Sequence, residues 1–235
     1  MITIYPAASR YSANHGWLHS NFSFSFADYY DPNNVQFGPL RVFNDDIVQP
    51  DNGFGAHPHR EMEIVSIVLQ GQLKHQDSTG NAEVLVPGEI QRMTAGTGIV
   101  HSEYNPSHTE EANFLQLWFL PDELGLEPSY EQFAYDQDAM KNNLLPIVAK
   151  HTMGEHRIAH IHQDLTLYLS KLDAGRTILF RQPEGRRIYV FVIEGELVLN
   201  KESELKRRDA ARITETSRLE IEAKEDTHFM LIDLP

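Results

Sequence analysis

The sequence predicts an all-β protein made of two β-barrel domains, and three observations support this fold class. Apolar and polar residues alternate in many short runs, turn residues separate these runs at short intervals, and helical periodicity is hard to find. Two fragments also recur between the halves of the chain: VLQGQL at 68–73 resembles VIEGEL at 192–197, and FLQLWFLP at 114–121 resembles FMLIDLP at 229–235. Recurrence of this kind favours a duplicated barrel.

The strands can be placed in order along the chain. The first alternation, at Phe22, Phe24 and Phe26, is typical of a half-buried strand. Further strands of the first half are predicted at residues 40–48, 63–69, 72–76, 84–86, 90–94, 99–104 and 114–120. Strands of the second half are predicted at residues 165–172, 177–180, 188–193, 196–199, 218–223 and 228–233.

A polar stretch separates the two sets of predicted strands. Residues 122 to about 150 are rich in Glu, Asp, Pro and Asn, which favours a linker. We therefore predict an N-terminal barrel over residues 1–135 and a C-terminal barrel over residues 136–235.

Composition excludes several classes of protein. The 235 residues include 20 Lys+Arg, 34 Asp+Glu and 12 His, which gives a net charge of −14, and there is no Cys. Disulfides, thiolate metal sites and cysteine nucleophiles are therefore excluded. The acidic balance argues against nucleic-acid binding, and no apolar run is long enough to span a membrane. Since the first residues do not resemble a signal peptide, we expect a cytoplasmic protein.

Two short motifs place metal-binding residue types two positions apart. His57 and His59 flank a proline, and His101 and Glu103 follow a Gly-Thr-Gly turn. Residues i and i+2 of an extended segment point to the same face, so each pair presents two ligands on one side. A lone His-x-His is commonly a surface pair, but the joint occurrence of both motifs beside glycines favours a metal site. Three imidazoles and one carboxylate suit Fe, Mn, Ni, Co or Zn.

The same residues carry a resemblance to a known family. His57 and His59, followed by Glu63 and Gly71, resemble the first cupin motif, and GTGIVHSEYN at 96–105 resembles the second. Four further blocks are similar to the pirin family: NHGWL at 14–18, FSFADYYDP at 24–32, LRVFND at 40–45 and HQDSTGN at 75–81. The resemblance is particularly clear to bacterial pirin-like proteins described as quercetin 2,3-dioxygenases.

The resemblance implies a bicupin, with two double-stranded β-helix (jelly-roll) barrels in one chain and one metal ion in the N-terminal barrel. The implied metal is Fe(II), with Mn, Ni, Co or Zn as alternatives. Glu63 lies where many cupins place a glutamate ligand, but pirin-like proteins take the carboxylate from the second motif, so Glu63 is placed outside the ligand set. The implied ligands are His57, His59, His101 and Glu103.

The C-terminal half lacks an equivalent set of ligands. Arg181 and Pro183 stand where a cupin would have His-x-His, and His228 is the only histidine after His162. The C-terminal barrel is therefore predicted to be degenerate and metal-free. Four histidines near the linker are interpreted as a solvated segment rather than a second metal site: His151, His156, His160 and His162.

The resemblance implies a metal-dependent dioxygenase that cleaves the heterocyclic ring of a flavonol, quercetin, with O2 to a depside and carbon monoxide. Glu103 would be both a metal ligand and the general base for the flavonol 3-hydroxyl. An aromatic substrate needs an apolar pocket. The candidate lining residues are Phe54, Met62, Met93, Trp118 and Phe119.

An alternative hypothesis comes from a different class of function. Some pirins are described as metal-containing regulators, so the metal would act as a redox sensor and the chain would bind a protein partner. The acidic charge permits such a partner. Because two barrels in one chain remove the need for a dimer to pair them, we expect a monomer. Incubation with quercetin in air distinguishes the enzyme from the regulator.

Overall fold

The computed structural model describes residues 1–151 and 154–235. Within these ranges the only helices are two 3-10 turns, Ala7–Ser9 and Asp138–Met140, and neither has the length or apolar character needed to cross a membrane. The strands of the first part are β1 (Ile2–Tyr5), β2 (Tyr11–Asn14), β3 (Leu18–Phe22), β4 (Leu40–Val48), β5 (Gly53–His59), β6 (Glu63–Gln70), β7 (Leu73–Asp77), β8 (Ala82–Leu85), β9 (Glu89–Thr94), β10 (Ile99–Tyr104), β11 (Ala112–Phe119) and β12 (Ser129–Ala134). The remaining strands are β13 (Leu145–Ala149), β14 (Ala159–His160), β15 (Thr166–Leu172), β16 (Thr177–Arg181), β17 (Arg187–Glu194), β18 (Leu197–Leu199), β19 (Ser203–Leu205), β20 (Ala210–Ile213), β21 (Arg218–Ala223) and β22 (Thr227–Leu234).

The chain forms two compact units, each built from a larger and a smaller sheet. In the N-terminal unit, the larger sheet has the order β12-β9-β6-β11-β4-β3-β2 and the smaller one β5-β10-β7-β8. In the C-terminal unit, β1-β20-β17-β22-β15-β13 run side by side, and the smaller sheet has the order β16-β21-β18-β19. This arrangement confirms the predicted all-β fold of two jelly-roll barrels.

The two units repeat one strand order, as the recurring fragments predict. The neighbours β6, β11 and β4 of one unit correspond to β17, β22 and β15 of the other. The turns that leave β6 and β17 both contain a glycine, Gly71 at φ +73° and Gly195 at φ +93°. A Cβ atom at Gly71 would lie 2.3 Å from the Glu111 carbonyl oxygen, and one at Gly195 would lie 2.7 Å from the Asp226 carbonyl oxygen. Glycine is therefore required at both turns by the backbone angle and by close packing.

Each unit includes a segment from the other half of the sequence. The N-terminal unit contains residues 11–135 and 159–163, and the C-terminal unit contains residues 1–10, 164–235 and the described part of 136–158. The first strand, β1, joins the C-terminal unit by pairing with β20, where Ile2 lies opposite Ile213. The division between residues 135 and 136 stays a prediction.

The predicted linker at residues 122 to 150 is wrong in its interior, because β12 and β13 lie within it. Strand β12 has a polar sequence, SYEQFA, since it is the edge strand of its sheet and is half-buried along most of its length. Strand β13 is a buried five-residue run, LPIVA, in a polar neighbourhood. The polar, acidic composition of this stretch concealed both strands.

The two barrel interiors differ in chemical character. A large apolar cluster lies inside the C-terminal unit, with members that include Phe180, Val190, Leu199, Leu219 and Phe229. The N-terminal unit instead buries many polar side chains, among them Asn44, Asp46, Glu63, Ser66, His75, Gln91, Arg92, His101, Glu103 and Gln116. Because burying polar groups is costly unless they have partners, this concentration marks the N-terminal barrel as the place to look for function.

Candidate metal centre

Three neighbouring strands of the small N-terminal sheet each carry a pair of metal-binding residue types. Strand β10 lies between β5 and β7. On the β5 side, His101 lies opposite His57. On the β7 side, His101 lies opposite Asp77, and Glu103 lies opposite His75. Residues two apart on a strand face the same way, so all these side chains are directed to one face of the sheet. The pairs predicted on β5 and β10 are thus accompanied by a third pair on β7.

The three predicted histidine ligands converge. One nitrogen from each of His57, His59 and His101 lies within 4.8 Å of the other two, and the Nε2 atoms of His57 and His101 are 3.1 Å apart. The Nε2 atom of His59 is buried and has no hydrogen-bond partner among the described residues. Since buried polar atoms normally have partners, these nitrogens fit the first coordination shell of a divalent cation.

The protonation of the cluster suits metal binding. Burial, and then the neighbouring His57, lower the pKa of His59 to about 4. Burial, followed by His59 and His57, lowers the pKa of His101 to about 2. The Nδ1 atom of His57 lies 2.7 Å from the carbonyl oxygen of Gly55 and donates to it, so Nε2 keeps its lone pair. Neutral imidazoles with free Nε2 lone pairs are the form that ligates metals.

Glu103 is buried beside this cluster, on the β10 strand. Its Oε2 atom accepts a hydrogen bond of 2.5 Å from Gln116 Nε2, and its Oε1 atom accepts one of 3.5 Å from the Ser66 hydroxyl. Burial raises the pKa of Glu103 to about 7, although both hydrogen bonds oppose the rise. Ligand atoms of Glu103, His101 and His75 also lie within 4.8 Å of one another, so two overlapping clusters share His101.

Glu63 has a different set of partners. This fully buried carboxylate accepts hydrogen bonds from the Thr94 hydroxyl at 3.0 Å and from the backbone N–H groups of His162 and Gln163, both at 2.9 Å. It is also 2.9 Å from Nδ1 of His162. Glu63 belongs to neither cluster of possible ligands among the described residues and instead holds residues 159–163 in the N-terminal unit. The interpretation of this histidine-rich segment as simply solvated is wrong for His162.

A cavity of about 270 Å³ adjoins the cluster and is bounded by His57 and Glu103. Its apolar wall contains Leu18, Phe22, Phe26, Phe54 and Trp118. Two of the five predicted lining residues, Phe54 and Trp118, are therefore in place. Met93 instead packs with Met62 in a core cluster, and Phe119 is fully buried in the core.

Part of the cavity lining is polar and was not predicted. The Ser20 hydroxyl donates to the buried carboxylate of Asp46. Burial raises the pKa of Asp46 to about 7, assisted by the charges of Asp45 and Glu103 and opposed by the Ser20 hydrogen bond. The Oδ1 atom of Asn44 is buried and has no partner within the described ranges. The cavity thus combines aromatic faces with acceptors for hydroxyl groups.

Comparison with known proteins identifies the family. The pirin model matches residues 6–119, and the model of the quercetinase C-terminal cupin domain matches residues 148–234. Over 235 residues the chain is 41% identical to the quercetin 2,3-dioxygenase of Escherichia coli strain K12, with 100% of this chain and 99% of that protein covered. The chain belongs to the pirin family.

Solved structures agree with this assignment. The bacterial pirin YhhW of Escherichia coli in complex with nickel(II) superimposes on this pirin with a TM-score of 0.94 at 39% identity, covering 100% of this chain and 99% of the other. A quercetin 2,3-dioxygenase from Acinetobacter baumannii has a TM-score of 0.79 at 24% identity, covering 98% of this chain and 85% of the other. The second likeness shows the shared fold.

Proposed function

We propose that this pirin is a metal-dependent quercetin 2,3-dioxygenase with its metal ion held by His57, His59, His101 and Glu103. The observation that carries the proposal is the convergence of three imidazoles, one with an unpartnered buried Nε2 atom within the described chain, beside an aromatic-walled cavity. Full-length similarity to the Escherichia coli quercetin 2,3-dioxygenase supports the reaction, and the nickel complex of a similar pirin supports a divalent ion.

Three nitrogens and one carboxylate suit several divalent ions, and we propose Fe(II) as the resident one, with Mn, Ni, Co and Zn as alternatives. When bound, the ion would supply Lewis-acid polarisation of a substrate hydroxyl oxygen. The Nδ1–H of His57 is anchored on the Gly55 carbonyl, which directs its Nε2 toward the cluster. The imidazole of His57 keeps a defined orientation because its Nδ1 atom is held by this hydrogen bond.

The substrate would lie in the cavity beside Glu103. The faces of Phe22, Phe26 and Trp118 would hold a planar flavonol and exclude water, while Asn44 and Asp46 would accept hydrogen bonds from ring hydroxyls. The Glu103 carboxylate, oriented by Gln116, would accept the proton of the 3-hydroxyl. Addition of O2 to the flavonol then cleaves the heterocyclic ring and gives a depside and carbon monoxide.

Incubation of the metal-loaded protein with quercetin in air tests this proposal. We expect the flavonol absorption band to disappear with release of carbon monoxide. Glu103→Gln keeps the size of the side chain but removes the proton acceptor, so kcat is expected to fall by about 10²–10⁴-fold. The matched control is Glu110→Gln, which changes an exposed carboxylate of the same unit and is expected to leave kcat unchanged.

A metal-loaded wild-type protein that leaves quercetin unchanged would overturn the enzyme proposal. That result would favour the regulatory alternative, in which a protein partner is sought by affinity capture. Wild-type kcat in Glu103→Gln would instead overturn the role of Glu103 in proton transfer.

A further inference from the structure

We infer that His75 and Asp77 are positioning residues that determine which ring nitrogen of His101 is free to bind the metal. This inference rests on the metal centre proposed above. Neither residue was a predicted site residue, and both lie on β7, next to β10 in the small sheet. Their side chains are fully buried. The chain of contacts runs from Asp77 through His75 to His101.

The first contact fixes the tautomer of His75. The Oδ2 atom of Asp77 lies 2.9 Å from His75 Nε2. A carboxylate accepts hydrogen bonds and has no proton to donate, so Nε2 of His75 carries the hydrogen. In a neutral imidazole the other nitrogen, Nδ1, is then an acceptor. The side-chain amide of Gln91 also approaches this Nδ1 atom, at 3.5 Å, which is the outer limit for a hydrogen bond.

The second contact passes this constraint to His101. The Nδ1 atoms of His75 and His101 are 3.4 Å apart. Since His75 Nδ1 accepts, His101 Nδ1 must carry the hydrogen, and His101 Nε2 keeps its lone pair. That Nε2 atom is the one 3.1 Å from His57 Nε2, on the side where the imidazoles converge. Two nitrogens this close without a shared hydrogen are the arrangement that a cation between them stabilises.

His75 is a donor to Asp77 and an acceptor for His101, so it is not a fourth histidine ligand, although it lies within 4.8 Å of His101 and Glu103. The Tyr130 ring also stacks on it, with centroids 4.6 Å apart and an interplanar angle of 23°. This stacking holds the plane of the imidazole. Both ring nitrogens and the ring face of His75 are therefore engaged.

Asp77 is held equally firmly. Its Oδ1 atom accepts hydrogen bonds from the backbone N–H of Thr79 at 2.8 Å and from the Thr79 hydroxyl at 2.7 Å. Its Oδ2 atom accepts one from Asn81 Nδ2 at 3.0 Å as well as the one from His75. Both oxygens face donors, so an amide at this position would place an N–H group against a donor in either orientation.

Asp77→Asn tests the chain of contacts with little change of shape. Long-range ¹⁵N–¹H correlation spectra of the metal-free protein report which nitrogen of each imidazole carries the hydrogen. In the wild type we expect Nε2–H for His75 and Nδ1–H for His101. In Asp77→Asn we expect these tautomers to be lost, and the Kd for Zn²⁺, measured by competition with a chromophoric chelator, to rise about 10–100-fold.

Two further variants separate positioning from folding. Asp51→Asn is the matched control, because Asp51 pairs with the exposed His108 at 2.7 Å, away from the cluster, and zinc affinity is expected to stay at the wild-type value. His75→Phe keeps a ring against Tyr130 but removes the acceptor, and we expect the same 10–100-fold loss of zinc affinity. Thermal melts show whether each variant is folded.

The opposite tautomers in the wild type, or unchanged tautomers and zinc affinity in Asp77→Asn, would overturn the inference. A metal-bound nitrogen of His75 in the spectrum of the zinc-loaded protein would also overturn it. If the wild type bound no zinc at all, the proposed metal centre would fail, whereas the tautomers of the metal-free protein would still decide the inference.

Discussion

His59→Ala is expected to remove the metal ion and the dioxygenase activity together. The imidazole lost in this variant carries a buried Nε2 atom with no hydrogen-bond partner among the described residues, and a metal ion would supply that partner. Loss of residues that merely support metal ligands costs about 10–100-fold in affinity, and loss of a ligand itself should exceed the upper end of that range. Metal analysis after dialysis and the quercetin assay measure both effects.

His108→Ala is the control for this prediction, because His108 is an exposed histidine of the same unit that pairs with Asp51. It should keep the metal content and kcat of the wild type. If His59→Ala retained one ion per chain, His59 would not be a ligand.

Gly53→Ala is expected to destabilise the N-terminal barrel and weaken metal binding. Gly53 lies on β5 opposite Tyr104 of β10, and a Cβ atom there would be 2.2 Å from the Glu103 carbonyl oxygen and 2.5 Å from the Tyr104 Cα atom. Backbone atoms cannot move away without separating the two strands that bring His57 to His101. Overpacking of this kind lowers the free energy of unfolding by about 1–3 kcal/mol.

Gly55→Ala is the matched control, two residues along the same strand. No described atom lies within 4 Å of the Cβ position there, and the Gly55 carbonyl that holds His57 is kept. Its free energy of unfolding should change by less than about 0.5 kcal/mol. Denaturant titration and metal analysis compare the two variants. Equal losses of stability and of metal in Gly53→Ala and Gly55→Ala would contradict the claim that the close approach of β5 and β10 requires glycine at residue 53.

The fold could be predicted in large part because its signals are local. Alternation and turn residues predict the bounds of β4, β10 and β21 residue for residue, and the recurring fragments correspond to equivalent strands of the two barrels. What local signals could not predict was long-range pairing. Nothing in ITIY at residues 2–5 specifies β20 as its partner more than 200 residues away, and the polar edge strand β12 resembles a linker in composition.

The candidate site could be predicted only where metal-binding residue types occur two positions apart, the spacing that directs both side chains to one face of a strand. The His-x-His and His-x-Glu pairs combine rare residue types with a period of two, so they stand out. His75 and Asp77 have the same spacing, but one histidine and one common acid are a weaker signal, and their importance depends on β7 lying beside β10. Asn44 and Asp46 were missed because a polar face in a strand normally predicts solvent exposure. The cytoplasmic location, the monomeric state and the metal-free C-terminal barrel stay predictions.

The most direct test of the account is the position of the metal, measured by anomalous scattering from crystals of the metal-loaded protein. The account predicts one peak per chain in the N-terminal barrel, at about 2.0–2.2 Å from one nitrogen each of His57, His59 and His101 and from a carboxylate oxygen of Glu103. Its contact on His101 should be Nε2. A peak bound by His75, a peak elsewhere in the chain, or no peak in a metal-saturated crystal would contradict the account.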